Sequence, residues 1–168
     1  FRRLVENKRF SPARDVTNWL PEAQAISPAT LNAALENPAR FLASTNARNP
    51  AGRGGREAVL AAIARLARSD VREAAARWRG LDSPAYREEE RAYVWGQLAW
   101  MAALSQLPEA NNWYAQAQTA SMSDEQRAWQ VRAALRAGNW ANVRQAIDAM
   151  PPAQRELQDW TYWQGRAL

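Results

Sequence analysis

The chain has 168 residues, with 22 basic and 17 acidic side chains, a formal net charge of +5, and neither Cys nor His. Without those two residue types, zinc sites of the usual kinds, thiol chemistry and a Ser-His-Asp triad are excluded within it. No apolar run approaches the ~18 residues that a membrane-spanning helix needs, and the length suits one good core or a short array of repeats.

The first ten residues, FRRLVENKRF, set Arg2, Arg3, Lys8 and Arg9 against Glu6, so most of the positive charge sits at this end. Such a cluster could touch phosphate or a membrane surface, and a frayed terminus accounts for it equally well. Further on, Arg is interleaved with acids, as at Arg68, Asp70, Arg72 and Glu73, which is how a solvated helical face reads; no nucleic-acid partner is expected. The chain begins at Phe1 with no Met and no signal peptide, and so reads as a mature fragment.

Ser27 is expected to cap a helix that starts at Pro28, and Asn37 with Pro38 repeats the device. The stretch TNARNPAGRGG (45–55) is expected to be a loop or hinge. Its glycines lack the strand–loop–helix setting and the Lys-Ser/Thr of a phosphate loop. From Arg56 onward helices are expected at about 56–68, 71–80, 84–105, 108–119, 124–137, 140–149 and 153–168. Ser83-Pro84 should open the long third of these. Asp70 with Glu73 and Ser123 with Gln126 fit the capping box, Gly138 stops one helix, and Asn139 caps the next. Val, Ile and Thr are sparse and Ala abundant. Apolar residues recur every three or four positions, as in Val71, Ala74, Trp78, Leu81 and again in Trp140, Val143, Ile147, Met150. No strand is expected.

A repeat organises this all-α text. Trp95, Trp129 and Trp163 are spaced by 34 residues each time. In a second register Ala74, Ala110 and Val143 are followed by Trp78, Tyr114 and Ile147, then by Leu81, Ala117 and Met150. An offset of 69 also matches Leu66 to Leu135, Tyr93 to Tyr162 and Gly96 to Gly165. That period is one helix–turn–helix unit, so the expected fold is a right-handed α-superhelix, or solenoid, of tetratricopeptide-like repeats. Residues 1–55 form an N-terminal helical segment with its Gly-rich hinge, and 56–168 the repeat domain.

The nine Trp are a strong compositional bias. Trp serves sugar stacking in carbohydrate-binding proteins and core packing in helical repeats. Trp78, Trp95, Trp129, Trp140 and Trp163 recur at structural positions and are expected to pack between helices. Trp19, Trp100, Trp113 and Trp160 fall outside the main register and are the better candidates for exposure, although core packing remains the leading reading for each; of these Trp100, Trp113 and Trp160 are the candidate ligand-facing residues. In the closing run DWTYWQGRAL, Trp163 is expected to pack back on the 140–149 helix. The run itself reads as the first helix of a repeat whose second helix would lie beyond it. Glu88, Glu89 and Glu90 suggest paired carboxylates, but consecutive helical residues point about 100° apart and cannot converge on one atom. They suit the positive end of a helix instead. No catalytic residue, cofactor site or metal site is expected.

The run WQVRAALRAGNWANVRQAIDAMPPAQRELQDWTYWQGRAL (129–168) closely resembles the helical superhelix of soluble lytic murein transglycosylases, and AIARLARSDVREAAARW (62–78) and EERAYVWGQLA (89–99) are similar to its preceding repeats. The resemblance implies a periplasmic protein whose helices stack around peptidoglycan. It also implies a separate lysozyme-like domain that cleaves the N-acetylmuramic acid to N-acetylglucosamine β-1,4 bond, leaving a 1,6-anhydro end. That family's Glu-Ser, Gly-Leu-Met-Gln and Tyr-Asn-x-Gly segments do not occur here; Glu156, for example, is followed by Leu157. The expected partners are therefore peptidoglycan, as glycan strand or stem peptide, and a catalytic domain outside this chain. The competing expectation is a stand-alone tetratricopeptide-like module that takes a peptide or helix from a protein partner.

Overall fold

A computed structural model describes residues 1, 2, 4, 11, 12, 15, 25–81, 85–118 and 120–167. Every regular element among them is an α-helix. The chain divides into two compact units, Phe1–Glu90 and Arg91–Leu168.

In the first unit, local chemistry places the helix starts where the sequence puts them. Ser27 Oγ accepts from the Thr30 N–H at 3.1 Å to open α1 (Pro28–Glu36), and Asn37 Oδ1 accepts from Arg40 N–H at 3.2 Å to open α2 (Pro38–Leu42). Each side chain satisfies a first-turn donor that would otherwise be orphaned, while the proline lacks the N–H that has no use there. The expected loop over 45–55 is instead mostly helical: α3 covers Thr45–Arg48 and α4 covers Gly52–Ala67. The sequence-based domain boundary thus falls inside α4. Gly55 serves close approach, since a Cβ on it would stand 3.1 Å from the Pro50 carbonyl carbon, and Gly52 takes a left-handed φ of +58°.

Helix α4 is the hub of this unit and packs on α1, α2 and α5 (Val71–Leu81). It is buried nearly all round, with Ala58, Val59, Leu60, Ala62 and Ile63 sealed from solvent. A helix apolar on every side must be surrounded, and its short Ala side chains let neighbours come close. Asp70 Oδ1 caps α5 at the Glu73 N–H (2.9 Å), and Trp78 on that helix is fully buried edge-on to Tyr86, with ring centroids 4.9 Å apart.

The second unit contains most of α6 (Glu88–Leu104), then α7 (Ala110–Ala115), α8 (Asp124–Arg136), α9 (Trp140–Asp148), α10 (Pro152–Arg155) and α11 (Gln158–Arg166). Ser83 and Pro84, the expected start of α6, lie outside the described residues. The Ser123–Gln126 capping box is complete in both directions, at 3.2 and 2.9 Å. Gly138 ends α8 and Asn139 caps α9 at the Asn142 N–H, 3.0 Å. The single helix expected over 153–168 is broken in two by extended Leu157 (φ −64°, ψ 141°). The break lets α10 stay pinned to the start of α8, where Gln154 Nε2 donates to Asp124 O at 2.6 Å. One core cluster of the unit is Ala128, Val131, Ala134, Val143, Ala146, Ile147, Met150 and Trp160, with Leu135, Trp163 and Ala167 against it.

Candidate functional site

The tryptophans are the first candidates, and the structure decides between their readings. Trp113 and Trp160, candidates for a ligand-facing role against a leading core reading, are 4% and 6% exposed and so follow the core reading. Trp113 lies three residues after buried Ala110 and so shares its helix face, where its ring sits 6.1 Å from that of Trp95. Trp160 shares a stripe with Trp163 and Ala167, and that stripe is the face that α11 lays on the core. Trp100 is half-buried, with its indole N–H enclosed and unpartnered among the described residues. Buried as they are, Trp113 and Trp160 present no free ring face of the kind a sugar stacks on. Trp19 lies outside the described residues. Of the residues expected in the core, Trp78 and Trp95 are buried and Trp129 and Trp163 half-buried, but Trp140 is 42% exposed. Trp140 sits directly after its cap, at the helix end, and meets the Trp163 ring at 6.4 Å, so Trp163 does reach back to α9.

The charged candidates have structural occupations. Glu90 accepts from Arg56 Nε on both oxygens, at 3.1 and 3.0 Å, and from the Arg87 backbone N–H at 2.9 Å. Its carboxylate is thus a helix cap and a buried ion pair at once, while Glu88 and Glu89 face solvent. Arg2 forms a two-pronged pair with Glu57, at 2.9 and 2.8 Å; Arg3, Lys8 and Arg9 lie outside the described residues. Among the described residues no group of three or more His, Cys, Asp or Glu is arranged to hold a metal ion, and no helix is long and apolar enough to cross a membrane.

Of the concavities in the second unit, two bear on ligand binding. The smaller, about 120 Å³, is lined by the amides of Asn111, Gln118, Gln130, Asn142 and Gln145 and by Tyr114. Asn142 Nδ2 donates to Asn111 Oδ1 across it at 3.1 Å. At ~30 Å³ per water it admits a few waters or one small polar group. Burial pushes the Tyr114 phenol pKa upward, so the hydroxyl stays neutral and donates to Gln126 O at 3.2 Å.

The larger concavity is a groove of about 590 Å³ where Trp129 and Trp163 meet Gln106, Arg132 and Arg136. The Arg132 guanidinium lies 5.0 Å from the Trp129 ring centre and 5.5 Å from that of Trp160, close enough for cation–π attraction to both. Trp160 is therefore present at the site as a buried support. No carboxylate lines this groove among the described residues. The signal in the sequence was available: Arg132 and Arg136 are four apart on α8 with Ala128 preceding them at the same spacing, unlike Arg77, whose i−4 neighbour Glu73 pairs with it at 2.7 Å.

No family model and no curated protein matches the chain. Among solved structures it is similar to an inactive mutant of the lytic transglycosylase Slt from Pseudomonas aeruginosa, with a TM-score of 0.73 and 22% sequence identity. The match covers 97% of this chain and 26% of that one, so the chain spans about a quarter of that protein's length. At this identity the likeness is one of fold alone.

Proposed function

We propose that this chain is a non-catalytic helical scaffold of a periplasmic, peptidoglycan-acting lytic transglycosylase, guiding glycan strands to a separate catalytic domain. The observation that carries the reading is the Slt likeness, which takes in 97% of this chain yet only 26% of that one. In this reading 56–168 is a right-handed superhelix of 34-residue units. It is supported by the burial of all nine residues of the second register, from Ala74, Ala110 and Val143 to Leu81, Ala117 and Met150. Helical repeats bury one face against each neighbour in this way, leaving the other for ligand. The engagement of Glu90 by Arg56 and Arg87 also fits a scaffold, because the most buried acid holds a helix end in place.

The test is co-sedimentation of the purified chain with peptidoglycan sacculi, followed by analysis of the soluble products. The expected result is salt-sensitive retention on the sacculi with no release of muropeptides. Anhydromuropeptides in the supernatant would refute the non-catalytic assignment, and absence of retention at low salt would refute the guiding role.

A further inference from the structure

We infer that the Trp129–Arg132–Arg136 groove is a binding site for a short peptide bearing free carboxylates. On the scaffold reading above, that peptide is the stem peptide of peptidoglycan rather than its sugar strand. The inference rests on that reading for the source of the ligand, and on the groove itself for its chemistry.

Three features of the groove converge. The first is an arginine held in place without an anion. Arg132 is exposed, yet its guanidinium is shelved against the rings of Trp129 and Trp160 at 5.0 and 5.5 Å. An aromatic shelf fixes the planar fork while leaving its N–H donors available, the preorganisation that two-pronged carboxylate recognition needs. The second is a matching charge. Arg136 stands one helical turn on, along the same side of α8, and no carboxylate lines the groove among the described residues. Two like charges at this spacing repel each other, and an anionic ligand relieves the repulsion.

The third feature is a strained residue at the rim. Gln106 lines the groove with φ +57°, the one non-glycine among the described residues in the left-handed region. Its amide, able both to donate and to accept, is among the groups that line the groove with the arginines. A ligand suited to this set has carboxylates for the guanidiniums, amide groups for Gln106 and an apolar body for Trp129 and Trp163. The groove volume of about 590 Å³ lies within the ~300–1,000 Å³ common for small-ligand sites. A short acidic peptide meets all of these demands. An uncharged oligosaccharide would leave both arginines unused, and a nucleic-acid strand would need a longer basic track.

The experiment is calorimetric titration of the full chain at low salt with three probes. These are the tripeptide L-Ala-γ-D-Glu-meso-diaminopimelate, the same peptide with its carboxylates amidated, and tetra-N-acetylchitotetraose. The expected result is binding of the free-acid peptide alone. The double variant R132Q/R136Q should bind it roughly tenfold to hundredfold more weakly, as loss of charge-assisted hydrogen bonds implies. R132K, which keeps the charge and loses the fork, should fall between. Equal binding of the amidated peptide would overturn the inference without recourse to any variant, and so would an unweakened, folded double variant. Retention on sacculi without tripeptide binding would sink this inference and leave the scaffold reading standing. Tripeptide binding without retention on sacculi would uphold the carboxylate site and sink the scaffold reading.

Discussion

Gln106 takes at the end of α6 the same left-handed capping position that Gly138 takes at the end of α8. Their φ angles are +57° and +63°. In each case the next N–H reaches back five residues, Leu107 to Ala102 O at 2.8 Å and Asn139 to Ala134 O at 3.0 Å. The hydrogen bonds are equivalent, but the steric cost is not. A left-handed L-residue is disfavoured by about 1–2 kcal/mol, of which the greater unfolded-state freedom of glycine takes back about 0.5–1. Q106G should therefore stabilise the protein by about 0.5–1 kcal/mol and G138A should destabilise it by a similar amount. A Cβ at 138 meets nothing within 4 Å, so that loss would be conformational alone. Urea-unfolding midpoints measure both. A loss of stability in Q106G would mean that the glutamine side chain contributes more than the strain costs.

Trp160 and Trp140 make a second test. Trp160 sits in the core of the second unit, and W160A should cost about 3–5 kcal/mol, the usual range for a buried large aromatic. Trp140 is 42% exposed, with Trp163 as its recorded ring contact, and W140A should cost about 1 kcal/mol or less. Equal losses in thermal or urea unfolding would contradict the burial pattern.

Glu90 answers for a helix start and a buried charge together. Its side chain is 7% exposed and that of Arg56 15%. E90A removes the cap from Arg87 and strands a guanidinium, so a loss of about 3–5 kcal/mol is expected. E90Q keeps an acceptor for the Arg87 N–H and should lose less. A double-mutant cycle of R56A with E90A should show coupling between the two sites that changes little with salt, because the pair is shielded from solvent.

Tyr114 predicts an alkaline sensitivity whose sign follows from its raised pKa. Burial holds the phenol protonated in the folded protein, whereas in the unfolded chain it ionises near pH 10. Above about pH 10 the unfolded state has released a proton that the folded state retains, so stability falls as pH rises from there. Y114F removes this dependence. It should also cost about 1 kcal/mol at neutral pH for the lost hydrogen bond to Gln126 O. Unfolding midpoints of the two proteins should converge between pH 9 and pH 12; parallel curves would show that Tyr114 is not the sensitive group.

The local grammar of the helices was legible from the chain alone. Ser27-Pro28, Asn37-Pro38, Asp70, the Ser123–Gln126 box and Gly138-Asn139 all act where they were read, because a cap is settled within four residues by hydrogen bonds of fixed reach. The apolar stripes of α5 and α9 were legible for the same reason, apart from Trp140 at its helix end. Only the tertiary structure decided the rest. Trp113 and Trp160 are buried because of the neighbours their helices meet, and Leu157 breaks the last helix because Gln154 is tied to Asp124, thirty residues earlier. Gly55 serves close approach instead of loosening a hinge because Pro50 lies against it. The groove took both levels: Arg132 and Arg136 share a face by helical spacing alone. That the face meets Gln106 and Trp163 depends on contacts between helices far apart in the chain, which no local pattern encodes.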